Sequence, residues 1–198
     1  MRSPGAGGCF VARTNDPNAT LWTAEALPSV VALTGLPREL AHPKFKSRTL
    51  TLAPVLAAQG DDYVIERFGI ELRLHLYGGV VDPTAALLPF DALFEVRAAA
   101  ALRLWRALNG RRPGPNPAAL SEARRNRLVL ALRALDGRLH DATHREIAAA
   151  LYGADAVPER GWISHELRDR TGRLVRLGVA MMNGGYRRLL LHPYRGRA

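Results

Sequence analysis

The sequence predicts an α+β protein, with an N-terminal small antiparallel β-sheet domain with a covering helix, followed by a C-terminal all-α helix-turn-helix domain. Short β-prone runs between turn formers fill residues 21–80, and amphipathic helical patterns dominate the rest. Charge divides the chain in the same way. Residues 101–198 hold 19 of the 28 basic residues and 8 of the 18 acidic ones, a net +11, whereas residues 1–100 carry −1. The second half is therefore suited to a polyanionic partner.

The N-terminal half begins with residues 1–20, rich in Gly, Asn, Pro and Asp, which we predict to be a flexible tail. Runs at residues 29–33, 48–52, 63–68 and 70–77 are β-prone. In the last run, apolar and polar side chains alternate, as expected of a half-buried strand. The apolar positions are Ile70, Leu72, Leu74 and Leu76, and the polar ones are Glu71, Arg73 and His75. We expect residues 21–110 to form a β-rich domain for oligomerisation or partner binding.

A helix over residues 91–109 is the predicted cover of this sheet, since a sheet must bury its apolar face. Apolar residues recur at helical spacing, with Trp105 beside them: Leu93, Val96, Ala100, Leu104 and Leu108. Gly110 is placed to end the helix. Residues 111–117 contain three prolines within five positions, so we predict a linker and a domain boundary there.

Residues 118–198 are predicted to contain three helices. The first covers residues 121–139, and the second runs from Thr143, with Glu146 completing a capping box, to Gly153. The third starts at Ser164 as N-cap and ends at residues 183–185. The inward positions of the three helices are Leu128, Leu132, Leu135 and Leu139, then Ile147, Ala148 and Leu151, then Leu167, Thr171, Leu174, Val175, Gly178 and Met181 or Met182.

The opposite face of the third helix is basic, as a DNA-recognition helix requires. We assign His165, Arg168 and Asp169 to base edges. Arg173, Arg176 and the first-helix arginines are assigned to phosphates. The full set of expected DNA contacts is Ser164, His165, Arg168, Asp169, Gly172, Arg173, Arg176, Arg124, Arg125, Arg127, Arg145, Arg187 and Arg188.

Three alternatives remain open at this point. The arginines could simply solvate a helical bundle. Gly172, on the predicted exposed face, either lets the helix approach a phosphate or is a tolerated weak position. The loop over residues 153–162 is longer than a usual helix-turn-helix turn, so the angle between the last two helices is undetermined.

Other chemistry finds little support. His140 and His144 have the spacing of a metal pair, but the turn between them breaks the helix that such a pair needs. Neither a phosphate-binding loop nor a nucleophile motif occurs, and Cys9 is the single cysteine. Long apolar runs and a signal peptide are also lacking. We therefore expect no enzyme, metal, cofactor or membrane partner, and a cytoplasmic, nucleoid-associated protein.

Several motifs resemble a known family. They are residues 130–139 (LALRALDGRL), 144–153 (HREIAAALYG), 167–170 (LRDR), 173–176 (RLVR) and 184–190 (GGYRRLL). In this order they resemble the DNA-binding domain family named for RovC, a type VI secretion regulator of proteobacteria. The resemblance covers about residues 118–192.

The resemblance implies a transcription factor that oligomerises, binds double-stranded promoter DNA and is often encoded near mobile elements or secretion clusters. Its implied partners are a second copy of the chain and a related regulator or RNA polymerase. Some relatives resemble activators, and others resemble antiactivators that bind an activator. The expected function is an activator, with an antiactivator that sequesters a related transcription factor as the alternative.

Overall fold

A computed structural model describes residues 10–11, 21–42, 44, 52, 55–79 and 84–194. The chain divides into two compact units. We call Met1–Ala118 together with Leu190–Ala198 the sheet unit, and Ala119–Leu189 the helical unit. The α+β class predicted from the sequence is confirmed.

Strands precede helices along the described chain. The strands are β1 Phe10–Val11, β2 Leu21–Trp22, β3 Val31–Gly35, β4 Val55–Gln59, β5 Asp62–Arg67, β6 Ile70–Leu76 and β7 Thr84–Ala86. The α-helices are α1 Phe94–Leu108, α2 Glu122–Leu139, α3 His144–Tyr152, α4 Glu166–Ala180 and α5 Tyr186–Leu190. Among the described residues, no helix is both long and apolar enough to cross a membrane.

The main sheet has five strands in the order β4-β5-β6-β3-β7. β5 and β6 form an antiparallel hairpin, in which Phe68 and Gly69 both adopt positive φ, as the inverse turns of tight hairpins require. β3 lies between β6 and β7 and pairs in parallel with β6, with Val31 opposite Leu74. The prediction of a purely antiparallel sheet is therefore wrong for this pair. Alternation assigns side chains to faces but does not determine which strands become neighbours.

The core of the sheet unit lies between the sheet and α1. The apolar face of β6 is buried as predicted, and α1 packs its small side chains Ala100 and Ala107, with Leu104, against it. Gly110 ends α1 at φ +68°, and the N–H of Arg111 donates to the Arg106 carbonyl at 2.8 Å. Together with the hydrogen bond from the Gly110 N–H to the Ala107 carbonyl oxygen at 3.1 Å, this bond defines a Schellman motif and confirms the predicted helix end.

Some predicted segments lie wholly or partly outside the described residues. Of the predicted tail, Phe10 and Val11 are described, and they pair with β2. Of the predicted strand at residues 48–52, only Leu52 is described; it packs against the core without belonging to a strand. β4 and β7 were not predicted, because their short runs lack clear alternation.

The helical unit packs α2, α3 and α4 around a small core of Ala131, Ala134, Ile147, Leu174 and Val175. A Cβ atom at Gly178 of α4 would lie 2.6 Å from the Ala131 carbonyl oxygen. The missing side chain therefore lets α2 and α4 approach closely.

This close approach changes which face of α2 points inward. Ala131, Ala134 and Leu135 are buried, whereas Leu132 and Leu139 are 66% and 61% exposed. The predicted leucine stripe is thus wrong at two positions, because the face of α2 that meets Gly178 is the one that carries Ala131 and Leu135. Leu128 is half-buried.

Both ends of α3 follow the sequence prediction. The Thr143 hydroxyl accepts a hydrogen bond from the Glu146 N–H, and the Glu146 carboxylate accepts one from the Thr143 N–H at 2.7 Å. The pKa of Glu146 lies below its usual value because its carboxylate accepts hydrogen bonds from the Thr143 N–H and from the Thr143 hydroxyl, each at 2.7 Å. The predicted capping box is confirmed, and Gly153 is the C-cap.

Candidate nucleic-acid interface

The two faces of α4 differ sharply. Leu167, Thr171, Leu174, Val175 and Gly178 are buried, which confirms the inward face predicted from their spacing. Met181, just after α4, is half-buried and Met182 is exposed. The exposed face carries side chains one turn apart, namely Asp169, Arg173 and Arg176. Glu166, Arg168 and Arg170 are exposed as well, so the helix presents four guanidinium groups and two carboxylates to solvent.

α4 begins one residue later than predicted. His165, and not Ser164, is the N-cap residue: its Nδ1 accepts a hydrogen bond from the Leu167 N–H at 3.3 Å. The Ser164 hydroxyl instead donates to the Gly161 carbonyl oxygen at 3.2 Å. Trp162 stacks on the His165 ring, with centroids 6.3 Å apart. Capping engages Nδ1, so Nε2 is the His165 atom that can meet a ligand.

Arg168 is exposed near the start of α4, and its Nη1 donates to the Ile163 carbonyl oxygen at 3.3 Å. Ile163 is itself 81% exposed. The guanidinium is therefore held at the N-terminal end of α4, the end that a recognition helix directs toward base edges.

Gly172 does not lie on the exposed face. It is buried, and a Cβ atom at this position would lie 3.7 Å from His144 Cε1. The prediction that Gly172 is exposed is wrong because the first turn of α3 covers this side of α4. The buried surface of α4 is correspondingly wider than the apolar spacing indicates.

The connection between α3 and α4 covers residues 153–165 and contains two 3₁₀ turns, Ala154–Ala156 and Trp162–Ser164. A helix-turn-helix uses a turn of about 3–4 residues. Arg145 at the start of α3 donates through Nη2 to the Pro158 carbonyl oxygen at 3.2 Å and so fastens the connection. The helix-turn-helix prediction is therefore not confirmed.

The remaining predicted arginines lie on α2 and α5, and all are exposed: Arg124, Arg125, Arg127, Arg187 and Arg188. Gly178 packs against Ala131, whereas Gly172, earlier in α4, lies beside His144, which follows the end of α2. α2 and α4 therefore run in opposite directions. The first turns of α2 lie toward the end of α4, away from His165 and Arg168.

The sequence prediction missed one basic contact within the unit. The Arg170 guanidinium lies over the Tyr152 ring, 5.0 Å from its centroid, and joins α4 to α3. An aromatic residue ending one helix and an arginine in the next were the available signal, but pairing them requires the tertiary contact. His140 contacts the Asp136 carbonyl oxygen through Nδ1 at 2.8 Å. Within the described ranges, no cluster of three or more His, Cys, Asp or Glu side chains could hold a metal ion.

A packed three-helix unit that exposes arginines on one face of a helix has the chemistry that DNA-binding domains use. A family model described as the T6SS transcription factor DNA-binding domain, RovC_DNA-bd, matches residues 87–191, more than half of the chain. The chain belongs to this family. Comparison with curated proteins and with solved structures finds no match.

The family match begins before α1 and extends through the helical unit. It therefore includes the cover helix, which the sequence analysis assigned to the N-terminal half. The family is one of DNA-binding transcription factor domains, which indicates a regulator and not an enzyme.

Proposed function

We propose that this protein is a transcriptional activator that binds promoter DNA through the exposed face of α4. The observation that carries the proposal is the division of α4 into a buried apolar face and an exposed face with Arg173 and Arg176. A rigidly packed helix holds its basic side chains in one orientation. That orientation is what a groove of duplex DNA can select.

The position of each arginine supports a different role. Arg168 lies beside the N-cap, so it is suited to a base edge, where a guanidinium can donate two hydrogen bonds to guanine. Arg173 and Arg176 lie further along the helix and suit phosphates. The arginines of α2 and α5, toward the other end of α4, would contact phosphates beyond the segment that α4 occupies.

The test begins by selecting bound fragments from genomic DNA with the full-length protein. Affinity is then measured on the selected duplex and on a random duplex. We expect Arg168→Ala to cost about 1–3 kcal/mol on the selected site and to relax preference at one base pair. Arg176→Ala should weaken both duplexes alike and reduce the salt slope by about one.

Arg38→Ala is the matched control, because it removes the same charge from an exposed position in the sheet unit. It should leave the preference for the selected duplex unchanged. If Arg168→Ala and Arg176→Ala remain folded and bind both duplexes as the unmodified protein does, α4 is not the DNA-reading element.

A second function is supported by the exposed leucines of α2. Leu132 borders a groove of about 840 Å³ between α2 and α3, which Ala150 and Leu151 also line. An apolar groove of this kind suits a protein partner, as an antiactivator that sequesters a related activator would need. This alternative predicts that Leu132→Glu abolishes partner binding, whereas Arg168→Ala does not.

A further inference from the structure

The face of α1 that contacts the sheet contains one charged residue. Val96, Ala100, Leu104 and Ala107 form the apolar part of this face, and Arg103 lies among them with only 9% of its surface exposed. An arginine side chain is rarely so buried unless it is paired with an anion.

Arg103 has no such partner among the residues that the structure describes. Its Nε–H is buried and has no hydrogen-bond acceptor, and no carboxylate forms an ion pair with its guanidinium. Burial lowers the pKa of Arg103. Leaving the buried Nε–H without an acceptor is costly, so the site favours an anion that accepts a hydrogen bond from it.

A cavity of about 250 Å³ opens beside Arg103. Polar residues from three other segments line it: Ser29 before β3, Arg73 of β6, and Asn116 after α1. Glu71 also lines the cavity, and its carboxylate accepts a hydrogen bond from Arg73 Nη2 at 3.2 Å. Hydroxyl, amide and guanidinium groups are all donors suited to anionic oxygens.

We propose that this cavity binds a small ligand through an oxyanion group, a carboxylate or a phosphate, which pairs with Arg103. The planar guanidinium can donate two parallel hydrogen bonds to either group. Such a site lies within the sheet unit and is separate from the exposed face of α4. It would give a DNA-binding regulator a place to receive a small-molecule signal.

The most direct test follows the unpartnered atom itself. In ¹⁵N NMR of the full-length protein, the Nε–H signal of Arg103 is assigned by its loss in Arg103→Lys. Inorganic phosphate and acetate are then titrated separately at constant ionic strength. We expect the Arg103 signal to shift and saturate, while the signal of exposed Arg38 shifts without saturating. Saturation with phosphate alone identifies a phosphate site, and saturation with acetate identifies a carboxylate site.

Thermal unfolding gives an independent measurement. At an anion concentration of about ten times its Kd, binding should raise the Tm of the sheet unit by roughly 3–8 °C. Arg103→Met should lose this rise, whereas Arg38→Met should keep it. Glu71→Gln should lower the Kd of the anion, because it removes a negative charge from the lining of the cavity. If neither anion gives a saturating shift of the Arg103 signal, the proposal is wrong, and that result does not depend on whether Arg103→Met folds.

Discussion

At the scale of single residues, Thr171 shows how a buried polar atom affects the stability of the DNA-binding unit. Its side chain is fully buried in the face of α4 that contacts the other helices, and its Oγ1 has no hydrogen-bond partner. A buried hydroxyl without a partner loses its hydrogen bonds to water and gains none in return. The residue therefore contributes packing while its hydroxyl opposes folding.

We predict that Thr171→Val raises the free energy of unfolding by about 1 kcal/mol, because a methyl group replaces the unpartnered hydroxyl at nearly the same volume. Urea unfolding followed by circular dichroism measures the change. Thr171→Ser is the control: it keeps the hydroxyl and removes the methyl group, so it should lower stability. A destabilised Thr171→Val protein would mean that Oγ1 has an acceptor in solution.

At the scale of elements, the contact between α2 and α4 depends on Gly178. Its absent side chain leaves the backbone of α2 within reach, with the Ala131 carbonyl oxygen and Leu135 Cβ as the nearest atoms. Gly172 in the same helix differs, since the nearest atom to its position belongs to the His144 side chain at an ordinary contact distance. The two glycines therefore have different structural roles.

Gly178→Ala should destabilise the protein by about 1–2 kcal/mol. The added methyl group would meet backbone atoms of α2 and force the two helices apart, at a cost of about 1–3 kcal/mol. The higher helix propensity of alanine offsets up to about 1 kcal/mol of this cost. Gly172→Ala is the matched control and should stabilise by up to about 1 kcal/mol. Thermal and urea unfolding of both variants provide the comparison. Equal effects would show that helix propensity alone governs both positions.

At the scale of the whole molecule, charge and fold divide the chain differently. Of the 19 basic residues in the second half, 13 lie in the helical unit, together with all 8 acidic residues, a net charge of +5. The other six lie in α1, in the linker and at residues 195 and 197. The large positive charge of the second half therefore belongs only in part to the three-helix unit.

We predict that residues 21–110 hold the protomers together, because regulators that bind paired half-sites commonly act as dimers and this half has no basic excess. Light scattering should show an oligomer for the full-length protein and a monomer for a fragment of residues 119–189. This fragment contains the helical unit complete and leaves residues 190–198 out, since they cluster with the sheet unit. An oligomeric fragment would reverse the two roles.

The features that the sequence predicted correctly depend on neighbours within a few residues. Alternation along β6, the capping box of Thr143 and Glu146, the helix end at Gly110 and the inward face of α4 are of this kind. Each is a local preference of the backbone or a repeat along one element. Such signals are present before any two elements meet.

Other features arise only when elements distant in sequence pack together. Sequence alone does not specify that β3 pairs in parallel with β6, or that His144 covers Gly172. Nor does it specify that alanines of α2 are buried in the helical unit while Leu132 and Leu139 are exposed. The sequence by itself determined the class of fold, both ends of α3, the end of α1 and the basic character of α4. Tertiary structure decided which faces are buried and which arginines share a surface, because those depend on how closely particular backbones can approach.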